Sequence, residues 1–197
     1  PCFVMVIEGV RNDPTLSDKD SISISIITVV YNSHLHIRET IESVLSQGCL
    51  AIEYLVIDGG STDGTKNIIL EYLDQISVFV SEPDNGVYDA MNKGVRLSSG
   101  DYVAFLNAGD YYIDRNLTLI ADALSSDYPD LLYGDLDYID DKHIVKRKWR
   151  SGAFSKRKLK QLWIPPHPTV FMKRELFFHV GAFDLQQKLA ADYDLLL

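Results

Sequence analysis

Four stretches of the chain concentrate the residue types that bind and transform small polar ligands. They are Thr28-Val29-Val30-Tyr31-Asn32, Asp58-Gly59-Gly60-Ser61-Thr62-Asp63-Gly64, Glu82-Pro83-Asp84-Asn85-Gly86-Val87-Tyr88-Asp89 and Asn107-Ala108-Gly109-Asp110. Each ends or follows an apolar run of strand type. Ligands of open α/β sheets bind beyond the carboxyl ends of the strands, so four such loops on one edge read as a single site. Asp89 and Lys93 are spaced i, i+4, which makes either a plain surface ion pair or two charges offered together to a ligand. Other chemistries lack their motifs. After the first strand there is no G-x-G-x-x-G dinucleotide fingerprint, and nowhere a G-x-x-x-x-G-K-[ST] phosphate loop. A G-x-S-x-G elbow is missing, as is Cys/His spacing of the zinc type.

The elements that must position these loops alternate. Ile22 to Val30 is a β-branched strand run, and Ile37, Ile41, Val44 and Leu45 form the apolar stripe of a helix that Ser33 can cap and Gly48 ends. Glu53 to Ile57 reads as a second strand, and Asp63 as the cap of a helix carrying Ile68, Ile69 and Leu73. Val78 to Val80 is a strand, Val87 to Leu97 a helix, Tyr102 to Leu106 a strand and Leu117 to Leu124 a helix. Repeated β-α units predict a parallel sheet with helices on both faces. After Asp130 the pattern changes: Leu131 to Tyr138 and Ile144 to Trp149 read as antiparallel strands joined at Asp140-Asp141. The expected fold class is thus α/β, a mostly parallel Rossmann-like central sheet with a mixed C-terminal half.

Composition bounds the rest. At 197 residues, 46% hydrophobic and 24% charged, the chain is one globular domain and neither disordered nor collagen-like. No apolar run reaches the roughly 18 residues of a membrane span. Cys2 and Cys49 are the only cysteines, which fits a reducing compartment better than a disulfide framework. Net charge is −9, yet Lys142 to Lys160 holds 9 Lys/Arg and no acid. The acidic remainder argues against nucleic acid as a partner. The basic segment suits a phosphate or an anionic membrane surface, or is simply a solvated face. Residues 1–20 are expected to be an N-terminal tail, and residues 21–197 one domain with halves at 21–110 and 111–197. The final Ala191-Asp192-Tyr193-Asp194-Leu195-Leu196-Leu197 reads as an element cut short, so a C-terminal truncation is expected.

The ordered motifs together carry a resemblance. Ser23 to Asn32, Ile41-Glu42-Ser43-Val44-Leu45-Ser46-Gln47, Val56 to Thr65, Tyr88-Asp89-Ala90-Met91-Asn92-Lys93-Gly94, Gly100 to Asp110 and Ala191-Asp192-Tyr193-Asp194 resemble a family 2 glycosyltransferase of GT-A fold, of the bacterial surface-polysaccharide type. The resemblance covers about residues 22–197. It implies an inverting hexosyltransferase-like enzyme (EC 2.4) moving a sugar from a nucleotide-diphosphate donor to the hydroxyl of a saccharide or lipid-linked saccharide. The expected location is the cytoplasm, with peripheral contact at the inner face of the plasma membrane.

The resemblance also implies roles. Thr28, Tyr31, Asn32, Asp58, Gly59, Asp89, Lys93, Asn107 and Ala108 fall in the nucleotide-sugar site. There Tyr31 can stack on the base and Asp58 accept its N–H, while Lys93 meets a phosphate. Family members often carry two acids where this chain has Asp58-Gly59. Asn107 to Asp110 lies at the usual D-x-D-type site for Mg²⁺ or Mn²⁺, with Asp110 as ligand and Asn107 offering a neutral oxygen. Asp192 matches the general base, with Asp194 its rival: two residues apart on a helix, only one can face a cleft. The family normally has an acid where this chain has Ala191. His167 and Trp163 fall on the acceptor side, in the stretch Trp163-Ile164-Pro165-Pro166-His167-Pro168. Two other functions compete. One is a non-catalytic sugar-nucleotide-binding subunit, suggested by Gly59 and Gly109. The other is a nucleotidyltransferase, whose Gly-rich basic loop is missing at Tyr31-Asn32-Ser33-His34.

Overall fold

The computed structural model of the protein describes residues 2–6, 22–48, 52–161, 163–187 and 191–196. In chain order the elements are β1 (Cys2–Val6), β2 (Ile24–Val30), α1 (Ile37–Leu45), β3 (Ile52–Asp58), α2 (Thr65–Leu70), β4 (Val78–Ser81), α3 (Val87–Leu97), β5 (Tyr102–Phe105), β6 (Tyr111–Tyr112) and α4 (Asn116–Asp127). They continue with β7 (Leu131–Leu132), β8 (Asp135–Ile139), β9 (Val145–Trp149), α5 (Lys156–Leu159), β10 (Phe171–Lys173), α6 (Arg174–His179) and α7 (Ala191–Leu196).

Two sheets result. The larger has the order β4-β3-β2-β5-β10-β7. Its first four strands run parallel, and β10 lies antiparallel between β5 and β7. The β-branched run of β2 is buried at every position, as expected of a central strand covered on both faces. One face carries Ile24, Ile26, Ile41, Val44, Ile69, Leu117 and Ile120 under α1, α2 and α4. The other carries Ile27, Val29, Leu55 and Val103 under α3, together with Phe177 and Ala191 of α6 and α7. Helix α3 lies very close to the sheet at Gly94, where an added Cβ would sit 2.4 Å from Ile27 Cγ2. The expected α/β class and the parallel sheet with helices on both faces are what the structure has.

The smaller sheet has the order β6-β1-β8-β9. Cys2–Val6, within the segment expected to be a tail, forms its strand β1, antiparallel to β8 and parallel to β6; the rest of residues 1–20 lies outside the described residues. The single strand expected over Leu131 to Tyr138 is two strands in different sheets. The chain crosses over at Gly134, whose N–H and carbonyl bond the Thr169 and Ser151 hydroxyls rather than a ladder. β8 and β9 do pair antiparallel across Asp140-Asp141. Two expected caps also differ. Ser33 uses its carbonyl, not its hydroxyl, to accept the N–H groups of His36 and Ile37. Gly64, in the left-handed region, is the N-cap of α2, although Asp63 still accepts the Thr65 N–H at 3.0 Å.

Candidate active site

A cleft of 620 Å³ opens at the carboxyl ends of β2, β3, β4 and β5, lined by residues 29–33, Gly59, Pro83, Asp84, Gly86, Val87, Ala90, Asn107 and Ala108. Its size is that of a small-molecule site. All four polar loops contribute to it, because parallel strands deliver their ends to one edge. Of the residues expected there, Tyr31, Asn32, Gly59, Asn107 and Ala108 form its wall.

The first two loops are stitched together. Asn32, in the left-handed region, receives the Thr62 N–H on its side-chain oxygen at 2.9 Å, and its own N–H donates to Ser61 Oγ at 2.8 Å. Tyr31 stays 65% exposed, so its ring face is open to a planar ligand. Thr28 and Asp58 do not reach the wall. Thr28 is fully buried, and its hydroxyl bonds the Tyr54 hydroxyl at 3.0 Å. Asp58 is also fully buried. Its oxygens accept the Ser61 N–H and hydroxyl and, at 2.7 Å, the Ser81 hydroxyl. In this geometry the carboxylate braces the second loop against β4. Asp63 is held well below the ordinary carboxylate range: burial opposes this, but bonds from Thr65 and His34 outweigh it.

The third loop brings a carboxylate that sequence reasoning did not single out. Asp84 Oδ1 accepts the Gly86 N–H at 2.8 Å. Its Oδ2 lies where a side chain at position 59 would be, 2.6 Å from an added Cβ. Asp84 therefore occupies space that a side chain at position 59 would need, and Gly59 is the residue that leaves it room. The only sequence signal was the Asp84-Asn85-Gly86 turn itself. Asp89 and Lys93 do not pair as an i, i+4 bridge. Asp89 accepts the Asn85 N–H at 3.0 Å, and Lys93 Nζ meets Glu82 at 2.7 Å. The carboxyl of Asp89 sits below its ordinary range because of that backbone bond.

The fourth loop is a tight turn in which the Asp110 N–H donates to the Asn107 carbonyl at 2.9 Å. Asp110 is buried. The Asn107 side-chain oxygen is buried and accepts no hydrogen bond among the described residues, an arrangement that costs free energy unless a water or a ligand supplies the partner. One carboxylate and one neutral oxygen fit a hard cation that takes its other ligands from phosphate and water. No cluster of three or more His, Cys, Asp or Glu suited to a metal occurs among the described residues.

The residues expected to act as base or on the acceptor side stand apart from the cleft wall. Ala191 is buried against the second core face, Asp192 is half-buried and Asp194 is exposed; of the two candidate bases, Asp192 is thus the one turned inward. It receives the Tyr88 hydroxyl at 3.2 Å. Tyr88 stands on α3 between Val87 and Ala90 of the cleft wall. His167 is stacked on Phe105 at 5.4 Å and meets Phe183 edge-on at 5.7 Å. Burial pushes its pKa down to about 4 against the pull of Asp192, so the ring is neutral near pH 7. Trp163 lies away from the cleft, edge-on to Tyr133 at 6.1 Å with Lys158 Nζ 5.1 Å over its ring.

Comparison with known proteins shows the family and the fold. The profile described as glycosyl transferase family 2 matches residues 25–184. A "PGL/p-HBAD biosynthesis glycosyltransferase" of Mycobacterium tuberculosis is 33% identical over 175 residues, 86% of this chain and 66% of that protein; the chain thus spans just under two thirds of this relative. Among solved structures, TarS of S. aureus matches with a TM-score of 0.71 at 21% identity, over 89% of this chain and 33% of that one. The mannosyltransferase PcManGT of Pyrobaculum calidifontis, solved with GDP-Man and Mn²⁺, matches with a TM-score of 0.67 at 22% identity, over 94% of this chain and 52% of that one. At these identities the two structures show the fold, which is that of GT-A glycosyltransferases.

Proposed function

Since the chain belongs to glycosyl transferase family 2, we propose that it forms the catalytic region of an inverting glycosyltransferase that moves a sugar from a nucleotide-diphosphate donor to an acceptor hydroxyl in bacterial surface-polysaccharide synthesis. The observation that carries this reading is the cleft itself. It joins an open aromatic ring, Tyr31, to an unsatisfied buried oxygen, that of Asn107, and is walled by the helix whose Tyr88 holds Asp192.

In this reading Tyr31 stacks on the nucleobase and the Asn32–Ser61–Thr62 stitching fixes the loop that frames it. Asp58 acts through Ser61 and Ser81, shaping that loop. Lys93 meets Glu82 at 2.7 Å, and in this reading its ammonium exchanges that partner for a donor phosphate. Asn107 and Asp110 would hold Mg²⁺ or Mn²⁺ beside the donor, where a bound cation would supply positive charge to offset that of the diphosphate. Asp192 takes the proton of the acceptor hydroxyl while that oxygen attacks the anomeric carbon from the face opposite the diphosphate. A base must lie within hydrogen-bond reach of the proton it removes. Neutral His167 presents a polar edge to the acceptor without competing for that proton.

The acceptor is a saccharide or lipid-linked saccharide. Basic β9 and α5 support contact with an anionic membrane surface at the cytoplasmic face: residues 145–148 and 156–157 are exposed. Lys148, Lys156 and Arg157 form no ion pair among the described residues. No helix among them is long and apolar enough to cross a membrane.

Thermal shift with UDP, GDP, dTDP and CMP, each with and without Mn²⁺, tests the reading, because a ligand that binds only the native state raises Tm. The expected result is a metal-dependent rise with one diphosphate, reduced by D110N, and slow hydrolysis of the matching sugar donor. Binding without any hydrolysis points instead to a non-catalytic sugar-nucleotide-binding subunit. No shift with any of the four overturns the assignment of the cleft.

A further inference from the structure

Helix α3 connects the cleft to the residue read as the base. Two of its residues, Val87 and Ala90, line the cleft. Between them Tyr88 donates its hydroxyl to Asp192 Oδ1 at 3.2 Å and packs its ring against Phe183, centroids 5.1 Å apart. One turn further, Asn92 is buried and clamps the backbone of Phe183: its Nδ2 donates to the carbonyl at 2.8 Å and its Oδ1 accepts the N–H at 3.0 Å. Tyr88 and Asn92 are i, i+4 and so share a helix face. That face grips both Phe183 and the first turn of α7. Burial, with the charge of Asp192, raises the Tyr88 phenol above its ordinary range, so the hydroxyl remains a donor at neutral pH. His167, whose titration feels the charge of Asp192, is neutral there.

We propose that Tyr88 is a positioning residue: by holding Asp192 Oδ1 it leaves Oδ2 to face the acceptor, and it ties the aim of the base to the helix that walls the donor cleft. This rests on the reading of Asp192 as the base. In the step itself the acceptor proton passes to Asp192 Oδ2. The acceptor oxygen pair forms the new bond to the anomeric carbon. The bond from that carbon to the diphosphate oxygen breaks, its pair leaving with the diphosphate. Tyr88 keeps its proton throughout.

The test uses the full-length protein and the variants Y88F and D192N, with UDP-GlcNAc, UDP-glucose and GDP-mannose as donors and released nucleoside diphosphate as the signal. Y88F keeps the ring and its packing. Its kcat is expected to fall roughly ten- to hundredfold, the scale of a misplaced catalytic group, while donor KM and UDP or GDP binding stay within about twofold. A second readout needs no turnover: in ¹³C-tyrosine-labelled protein, D192N lowers the pH at which the Tyr88 phenol titrates. An unchanged kcat in Y88F, a loss confined to KM, or a Tyr88 titration indifferent to D192N each overturns the proposal. Turnover surviving in D192N removes the base assignment and the role of Tyr88 with it. Turnover lost in D192N but kept in Y88F overturns the positioning role alone.

Discussion

Replacing Gly59 by Ala tests whether Asp84 fills the space beside position 59. The new Cβ would lie 2.6 Å from Asp84 Oδ2 and 3.2 Å from its Cγ. Ordinary contact begins near 3.4 Å, so the carboxylate must retreat by roughly 0.8 Å. Asp84 cannot do this freely, because its Oδ1 is held by the Gly86 N–H at 2.8 Å. Two responses are open. The loop can shift as a unit, at the ~1–3 kcal/mol typical of an overpacked site. Alternatively Asp84 can swing away and lose a bond between a charged group and an N–H, worth ~1.5–3 kcal/mol. Either route lowers stability by about 1–3 kcal/mol, which for a chain of this size is a Tm drop of roughly 2–12 °C. The assay is a double-mutant cycle on Tm with G59A, D84A and G59A/D84A. With Asp84 truncated the clash partner is gone, so G59A should cost almost nothing when added to D84A and the two changes should be strongly non-additive. A G59A penalty of the same size in both backgrounds would refute the claim that Asp84 fills the space above Gly59.

The neutral His167 makes stability depend on pH. Its folded pKa of about 4 lies below the ordinary 6.5, so the unfolded chain takes up a proton first; the contribution is full above about pH 6.5 and lost as pH falls toward 4. H167F should flatten that part of a Tm-against-pH curve between pH 7 and 4, and an unchanged curve would contradict the neutral ring. G94A should lower Tm, because its Cβ would meet fully buried Ile27 at 2.4 Å. About 1 kcal/mol of gained helix propensity offsets only part of that ~1–3 kcal/mol clash. Differential scanning calorimetry measures the balance, and a stability equal to wild type would mean that α3 is free to slide. Reversal of Lys156, Arg157 and Lys158 to Glu should weaken sedimentation with phosphatidylglycerol vesicles at low salt while leaving the nucleotide thermal shift intact. Equal sedimentation of wild type and variant would remove the membrane contact from the proposal.

The sequence alone determined the frame of this protein. A seven-residue run rich in β-branched residues such as Ile24 to Val30 reads as a buried strand, and the apolar spacing of Ile37, Ile41 and Val44 is helical. Alternation of such units dictates a parallel sheet, and with it the edge where Tyr31, Asn32, Asn107 and Ala108 converge. These are local or periodic signals that a residue carries with it. What only the tertiary structure decided depends on neighbours distant in the chain. Asp58 looks like a ligand residue in its own loop, yet Ser81, from the next strand, takes up one of its oxygens. Gly59 looks like a lost acid until Asp84 is found in its place. Lys93 turns from Asp89 to Glu82 because the third loop folds back beside α3. The run from Leu131 divides between two sheets because Thr169 and Ser151 capture the backbone of Gly134. Tyr88 reaches Asp192 across 104 positions. Hydrogen-bond partners and excluded volume are properties of pairs, and pairs this far apart in the chain meet only after it has folded.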